Sequence, residues 1–466
     1  MHPTDDRRFL ANETDDPLHE AFDRKMTVHA MPMGQSVRPE ELPGLWADAM
    51  SAENGLPIRS IYIHIPFCET HCVFCGFYQN AYRSDLAGQY VDALIREMEL
   101  TAKAPFINAH PFQAVYFGGG TPTALSAESL ARLVSTVKTL FPLANDCEIT
   151  LEGRIYNFTK EKIQAALSAG VNRSSLGVQT FDTQIRKRLG RRDSRKKVIE
   201  TLTYLRDLAK AVTIIDLIYG VPEQSLEIWE DDIRTFLGLE LDGCDLYQLN
   251  VFKGGLIEKS VAAGSLPRPA TLREQADYYV RGIELMQAAH YRRLSITHWA
   301  RTSRERSLYN FFSRGRSDCV PLGSGAGGWL GNYFFFVEGQ LQDYLSAIKA
   351  GRKPLSFGMR RSEGDFLFRD ISYQMELSYC DLKALSKRHD VDLLAILGPI
   401  ISQWEKVGLV KLTDDCLYLT RSGEFWEVNL AQMLIDRLQE VLMLLEPVHD
   451  GKKVEDRPSY GSNLSS

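Results

Sequence analysis

Six short runs of β-branched and aromatic residues recur between residues 60 and 252, spaced by stretches long enough to form helices. The runs are SIYIHIPF (60–67), AVYF (114–117), EITLE (148–152), SSLGVQ (174–179), VTIIDLIYG (212–220) and CDLYQLNVF (244–252). Between them, apolar residues at three- and four-residue spacing predict helices over 85–102, 127–140, 160–169, 182–208 and 226–237. Strands separated by helix-length segments indicate βα units around a parallel sheet. Six such units predict an α/β fold built on a partial (β/α)6 barrel, in preference to a complete eight-fold one.

Past this region the texture changes twice. A further helix is expected over 272–289, then a glycine-rich stretch, PLGSGAGGWLGNY (321–333). Beyond Pro354, two short helices over 381–388 and 393–407 precede GLVKLTDDCLYLT (408–420), which reads as two brief strands around an Asp-Asp turn, and a last helix. That order resembles a small winged-helix-like appendage. The expected division is a loosely structured extension over 1–57, the barrel with its extension over 58–355, the appendage over 356–450, and a disordered tail over 451–466.

The chain has 466 residues, 44 % of them apolar, with 54 Lys plus Arg against 60 Asp plus Glu, a net charge of −6. Such a balance argues against nucleic acid as the main partner. No uncharged apolar run is long enough to span a bilayer. The polar, acidic start, MHPTDDRRFLANETDD, lacks the apolar run of a secretory signal, so a cytoplasmic location is expected. In a reducing compartment the eight cysteines are not expected to form a disulfide framework. Cys147, Cys244, Cys319, Cys380 and Cys416 are scattered and read as structural thiols.

Cys68, Cys72 and Cys75 are clustered as CxxxCxxC directly after the first strand. A zinc site is one reading, but zinc wants a fourth ligand, and no second CxxC or HxxxH pair is present. Three thiolates on one loop suit a [4Fe–4S] cluster with one iron left open to a small chelating molecule. Each later strand end offers a further candidate. Gly118-Gly119-Gly120-Thr121 lets backbone approach a ligand closely, or is simply a tight turn. Glu152 is either a hydrogen-bond acceptor for a ligand or a solvated carboxylate, and Tyr62 is either a contact or core.

CxxxCxxC at the C-terminal end of a first barrel strand resembles the radical S-adenosylmethionine (SAM) superfamily. YIHIPFC (62–68), FGGGTPT (117–123), SSLGVQ and IDLIYGVPEQ (215–224) narrow the resemblance to the family of oxygen-independent coproporphyrinogen oxidase (HemN) and the haem chaperone HemW. The resemblance implies a radical SAM barrel with a HemN-type C-terminal domain. It implies that Cys68, Cys72 and Cys75 hold the cluster, and that Tyr62, Phe74, Gly76, Gly119, Gly120, Thr121, Glu152, Gln179, Arg191 and Asp216 contact SAM. Gln179, Arg191 and Asp216 are expected at or just after strand ends, and Arg192 could take the place of Arg191.

After the third cysteine the chain reads GFYQNAYR (76–83), unlike the usual wording of either the chaperones or the oxidases. With the long N-terminal extension, this is similar to the anaerobic haem-utilisation (HutW/ChuW) branch. That similarity implies a radical SAM methyltransferase that opens the porphyrin ring of haem without oxygen, giving a linear methylated tetrapyrrole and free iron. The implied cofactors are the [4Fe–4S] cluster and two molecules of SAM, with haem as substrate and flavodoxin or a reduced flavin system as electron donor. A HemW-like haem carrier and a coproporphyrinogen dehydrogenase-like enzyme are the alternatives. His64, His71, His290, His298 and Cys319 are candidate axial ligands of haem. Arg301, Arg304, Arg306, Arg314 and Arg316 are candidate partners for its propionates, or a solvated basic loop. GSGAGG (323–328) is a candidate wall for the second SAM.

Overall fold

In the computed structural model, which describes residues 6–26, 34–53 and 55–445, seven parallel strands form one open, barrel-like sheet. Six follow in chain order: β1 (Arg59–Ile65), β2 (Phe112–Gly119), β3 (Leu143–Gly153), β4 (Arg173–Gln179), β5 (Val212–Tyr219) and β6 (Gly243–Gln248). Short β7 (His298–Ala300) pairs antiparallel with β6, in register His298 to Asp245. β8 (Asp318–Leu322) returns to lie parallel on the outer side of β1. This seventh parallel strand lies just before the glycine-rich loop and is too short, and too interrupted by Pro321, to stand out in the sequence.

The expected helices are present as α1 (Ser84–Thr101), α2 (Ala127–Leu140), α3 (Lys160–Ala169), α4 (Thr183–Arg188), α5 (Arg195–Leu208), α6 (Leu226–Leu239) and α8 (Leu272–Ala288), and a short helix not expected from the sequence, α7 (Leu256–Ala262), precedes the last of them. Several begin where the sequence supplies a cap. The side-chain oxygens of Ser126, Thr159, Ser194 and Ser225 each accept a backbone N–H three residues on. The single helix expected over 182–208 is two, because Gly190, at φ +79°, turns the chain back toward the cysteine loop.

Behind the appendage's two expected helices (Leu382–His389 and Leu393–Val407), strands Val410–Thr413 and Cys416–Leu419 form a hairpin. Asp414 and Asp415 both have positive φ, the conformation of a two-residue hairpin turn. A third strand, Tyr379–Asp381, and the long helix Glu427–Leu445 complete this layer.

The N-terminal segment is not loose where it is described. Phe9, Ala11, Ala21 and Phe22 are buried against the C-terminal helices. Trp404 Nε1 donates to Phe9 O at 2.9 Å, and Trp426 Nε1 to Pro17 O at 2.9 Å. Its anchors lie some 400 positions away in the chain, so no local periodicity betrays them. The expected tail over 451–466 lies outside the described residues. Among the described residues, no helix is long and apolar enough to cross a membrane.

Candidate active site

β1 stops at Pro66, and Phe67–Cys68 then bridges in parallel to Asn80–Ala81, pinching the cysteine segment into a closed excursion over the strand ends. Cys68 and Cys72 are buried and Cys75 is half-buried. Cys68 Sγ lies 3.3 Å from Thr121 Oγ1, and Cys75 Sγ accepts the Phe77 N–H at 3.3 Å. Burial pushes the Cys68 and Cys75 thiols up, and two guanidiniums oppose it, Arg154 at Cys68 and Arg191 at Cys75. Arg154 braces the loop, with Nη1 donating to Thr70 O at 3.0 Å and Nη2 to Gly190 O at 3.4 Å. Sequence reasoning missed this arginine; its one signal is its place two residues after Glu152. Among the described residues no group of three or more His, Cys, Asp or Glu could hold a metal ion. The three thiols are spread along the loop, and could each bind a different iron of one cluster.

The glycine loop closes on the same place, for a reason the sequence did not show. A Cβ on Gly119 (φ +114°) would lie 2.7 Å from the His64 ring, one on Gly120 2.7 Å from the Phe67 carbonyl oxygen, and one on Gly118 2.8 Å from Glu152 Oε2. Protein neighbours alone therefore demand glycine at all three. His64 is clamped there: Tyr62 Oη lies 3.0 Å from Nδ1, and Gln79 Oε1 3.1 Å from Nε2. Burial holds its pKa down to about 4. With both ring nitrogens engaged, His64 is not available as an axial ligand. The GSGAGG loop lies alongside. A Cβ on Gly323 would run into the Tyr90 hydroxyl and lie 2.6 Å from His64 O, and one on Gly325 would lie 2.7 Å from Gln79 Nε2.

Four polar side chains converge inside the barrel beneath these loops. Gln179, at φ +73°, has its buried Oε1 without a partner. Arg191 donates from Nη1 to Gly177 O at 2.9 Å, lies over the Phe74 ring at 5.5 Å, and keeps a buried Nε unpartnered. A Cβ on Gly177 would meet Gln179 Nε2 at 2.7 Å and Arg191 Nη2 at 3.3 Å, so both cross the same glycine. Arg192 instead points outward, donating to Tyr156 Oη at 3.1 Å, which decides between the two arginines as the one that enters the barrel. Burial, then the charge of Asp216, raises Glu152 to about 8. Burial, then the charge of Asp245, raises Asp216 to about 7. Asp216 is not at a strand end as expected. It sits in mid-strand, in register with Gly177 on β4 and Asp245 on β6, because the inward-facing positions of adjacent strands share a layer.

From Asp245 in this layer runs a chain of buried charges. His298 Nδ1 lies 2.9 Å from Asp245 Oδ2 and its Nε2 3.1 Å from Glu305 Oε1, which in turn lies 3.0 Å from Arg173 Nη2. Burial disfavours the charged ring, but the two carboxylates outweigh it and raise His298 to about 9. Held as an imidazolium between carboxylates, His298 cannot serve as an axial ligand. Rings of Tyr62, Tyr116 and Tyr309 stack beside this chain, with Tyr116 and Tyr309 centroids 4.5 Å apart. Cys319, one strand over, is buried, and its thiol is pushed up to about 11 by that burial.

The arginine segment is no propionate site. Arg301 faces Glu240 at 3.8 Å and Arg304 Asp242 at 3.3 Å, both in the turn from α6 into β6, and Arg306 faces Asp146 near the start of β3 at 2.8 Å, so this loop plugs the bottom of the barrel. Arg314 pairs with Glu376, and Arg316 with Asp370 at 2.7 Å, tying the barrel to the C-terminal layer. Of the other histidines, His290 ends α8 on the surface, while exposed His71 stacks on Tyr78 with centroids 4.2 Å apart.

Residues 62–236 match the radical SAM superfamily. Anaerobilin synthase of Escherichia coli O157:H7 is 40 % identical over 406 residues, covering 86 % of this chain and 89 % of that protein. The haem chaperone HemW of Bacillus subtilis is 27 % identical, covering 79 % and 96 %. The solved structure of coproporphyrinogen III oxidase (HemN) from Escherichia coli shares the fold with a TM-score of 0.73 at 22 % identity, covering 84 % of this chain and 93 % of that one. A superfamily match that begins at the tyrosine before the cysteine loop, and a relative this similar along nearly its whole length, place the chain: it belongs to the radical SAM superfamily and, within it, to the family of anaerobilin synthase.

Proposed function

We propose that this protein is a radical SAM methyltransferase that opens the porphyrin ring of haem anaerobically, giving a linear methylated tetrapyrrole and releasing iron. The observation that carries this reading is the similarity to anaerobilin synthase over most of both chains. Cys68, Cys72 and Cys75 supply thiolates for a [4Fe–4S] cluster, and Arg154 and Arg191 balance the negative charge gathered there. Bound together, the cluster and SAM supply radical chemistry for attack on the macrocycle.

The chain's own residues bind and enclose. Ionised Glu152 and Asp216 accept hydrogen bonds from the ribose hydroxyls of SAM and offset its sulfonium charge. The unpartnered Gln179 Oε1 and Arg191 Nε await polar atoms of a ligand, since buried groups of this kind are costly when left unsatisfied. Backbone at Gly119, Gly120 and Thr121 faces the amino-acid end of SAM, while Tyr62, Phe74 and Gly76 complete its surroundings. The tyrosine stack and the plugged barrel bottom keep water from the reacting centre. A second SAM, the methyl donor, lies against residues 323–328; flavodoxin or a reduced flavin system supplies electrons, and the protein works in the cytoplasm.

The test is anaerobic incubation of reconstituted protein with haem, methyl-labelled SAM and a strong reductant. The Soret band decays, the label enters an open-chain tetrapyrrole, and free iron appears in parallel. Intact, unlabelled haem after many equivalents of SAM have been consumed overturns the reading in favour of a haem carrier.

A further inference from the structure

Four large hydrophobic side chains stand exposed at one edge of the barrel mouth: Phe77 at 74 %, Val251 and Phe252 each at 44 %, and Leu256 at 38 %. They come from two loops that touch. A Cβ on Gly76 would lie 3.3 Å from the Phe252 ring, so Phe252 rests on the cysteine loop beside Cys75, one residue from Phe77. Gly255 N donates to Phe252 O at 3.0 Å, a tight turn that leads directly into α7 at Leu256.

The ledge has a firm base. Ile185, Leu189, Leu249 and Ile257 are buried beneath it in a small core of their own, against which Val73 and Phe74 pack. The apolar groups on top add nothing to that core and lie in water beside the reactive loop, which is the mark of a surface kept for a ligand. Two cations flank them. Lys253 follows Phe252, and Lys259 lies one helical turn beyond Leu256 on α7. Both are exposed, and among the described residues neither ammonium is paired with a carboxylate. The nearest carboxylate in sequence, Glu258, is turned onto the Gly254 N–H.

We propose that this ledge seats the tetrapyrrole, with one face of the macrocycle on Phe77 and Phe252 and its two propionates directed to Lys253 and Lys259. The inference rests on the haem reading above and assigns the substrate's place within it. Apolar area flanked by two free ammonium groups matches a flat apolar ring with two carboxylates at one edge, and the site is next to the loop where the chemistry starts.

The experiment is an anaerobic haem titration followed by the Soret shift, in the reconstituted full chain. K253E/K259E weakens haem binding at least tenfold, and F77A weakens it several-fold. SAM cleavage by K253E/K259E with dithionite and no haem stays at the wild-type rate. Haem dimethyl ester, whose propionates carry no charge, binds wild type and K253E/K259E alike. Unchanged haem affinity in both variants overturns the seat. Slower reduction by flavodoxin with unchanged haem affinity overturns it too, and assigns the ledge to the electron donor. Wild-type protein that binds no haem overturns the underlying haem reading, and this one with it.

Discussion

His298 Nδ1 lies 2.9 Å from Asp245 Oδ2, and Asp245 in turn stands in register with Asp216 on the neighbouring strand. A histidine on the short antiparallel strand is thus two side chains from a carboxylate that we place against SAM. Without the imidazolium, Asp216 and Asp245 would be adjacent buried anions with less opposing charge, an arrangement that raises the pKa of one of them.

His298 therefore stabilises the fold in its charged form. Its folded pKa, about 9, lies above the ordinary histidine value of 6.5. The contribution is fully present below pH 6.5 and is lost as pH rises through 9. H298Q leaves Asp245 and Glu305 without their shared cation and costs about 3 kcal/mol at pH 6.5. Urea midpoints of wild type and H298Q from pH 6 to 9.5 should converge as pH rises; parallel curves would refute the charged ring.

Asp216 and Glu152 make SAM binding depend on pH in the opposite sense. Their pKa values, about 7 and about 8, keep both largely neutral in slightly acidic solution. A cationic ligand favours the ionised forms, so SAM affinity rises from pH 6 to 8.5, by up to about tenfold per unit where one group is still protonated. D216N and E152Q each lower SAM cleavage at least tenfold with cluster absorbance intact. Equilibrium dialysis of SAM across this range checks both points, and a flat profile in wild type would contradict them.

Each of C68A, C72A and C75A abolishes 5′-deoxyadenosine formation, because a cluster that lacks one thiolate does not assemble with its open iron in place. Iron and sulfide analysis after anaerobic reconstitution should fall from about four of each to a small fraction, while far-ultraviolet circular dichroism is unchanged.

The arginines separate cleanly. R192A, on the outside, is expected to be within about 0.5 kcal/mol of wild type in stability and unchanged in SAM cleavage. R191A loses SAM cleavage. R154A gives up its hydrogen bond to the Thr70 carbonyl, about 1.5–3 kcal/mol for a charged donor, and a longer, weaker one to that of Gly190, so its cluster bleaches faster in air. Equal bleaching rates in R154A and wild type would remove the arginine from the support of the loop.

Much of the barrel could be read along the chain because its signals are local. Helices such as Ala127–Leu140 and Lys160–Ala169 repeat apolar residues on one face and start on a Ser or Thr cap, and both lie where periodicity placed them. The Asp414-Asp415 turn between two short apolar runs is equally local. The cysteines were legible because three ligands for one cluster must share one loop, and the spacing itself is the chemistry.

What the sequence determined by itself, then, was the order of βα units, the cysteine loop and the family they resemble, since each depends on residues within a few positions of one another. Tertiary structure alone decided which of Arg191 and Arg192 enters the barrel, and that His64 and His298 are already engaged. It also decided that the 301–306 arginines plug the barrel bottom, and that Phe9 and Phe22 pack on helices 400 residues away. Those outcomes depend on which strands lie side by side and which side chains share a layer, and a buried charge is committed only by the partner that the fold brings within about 3 Å.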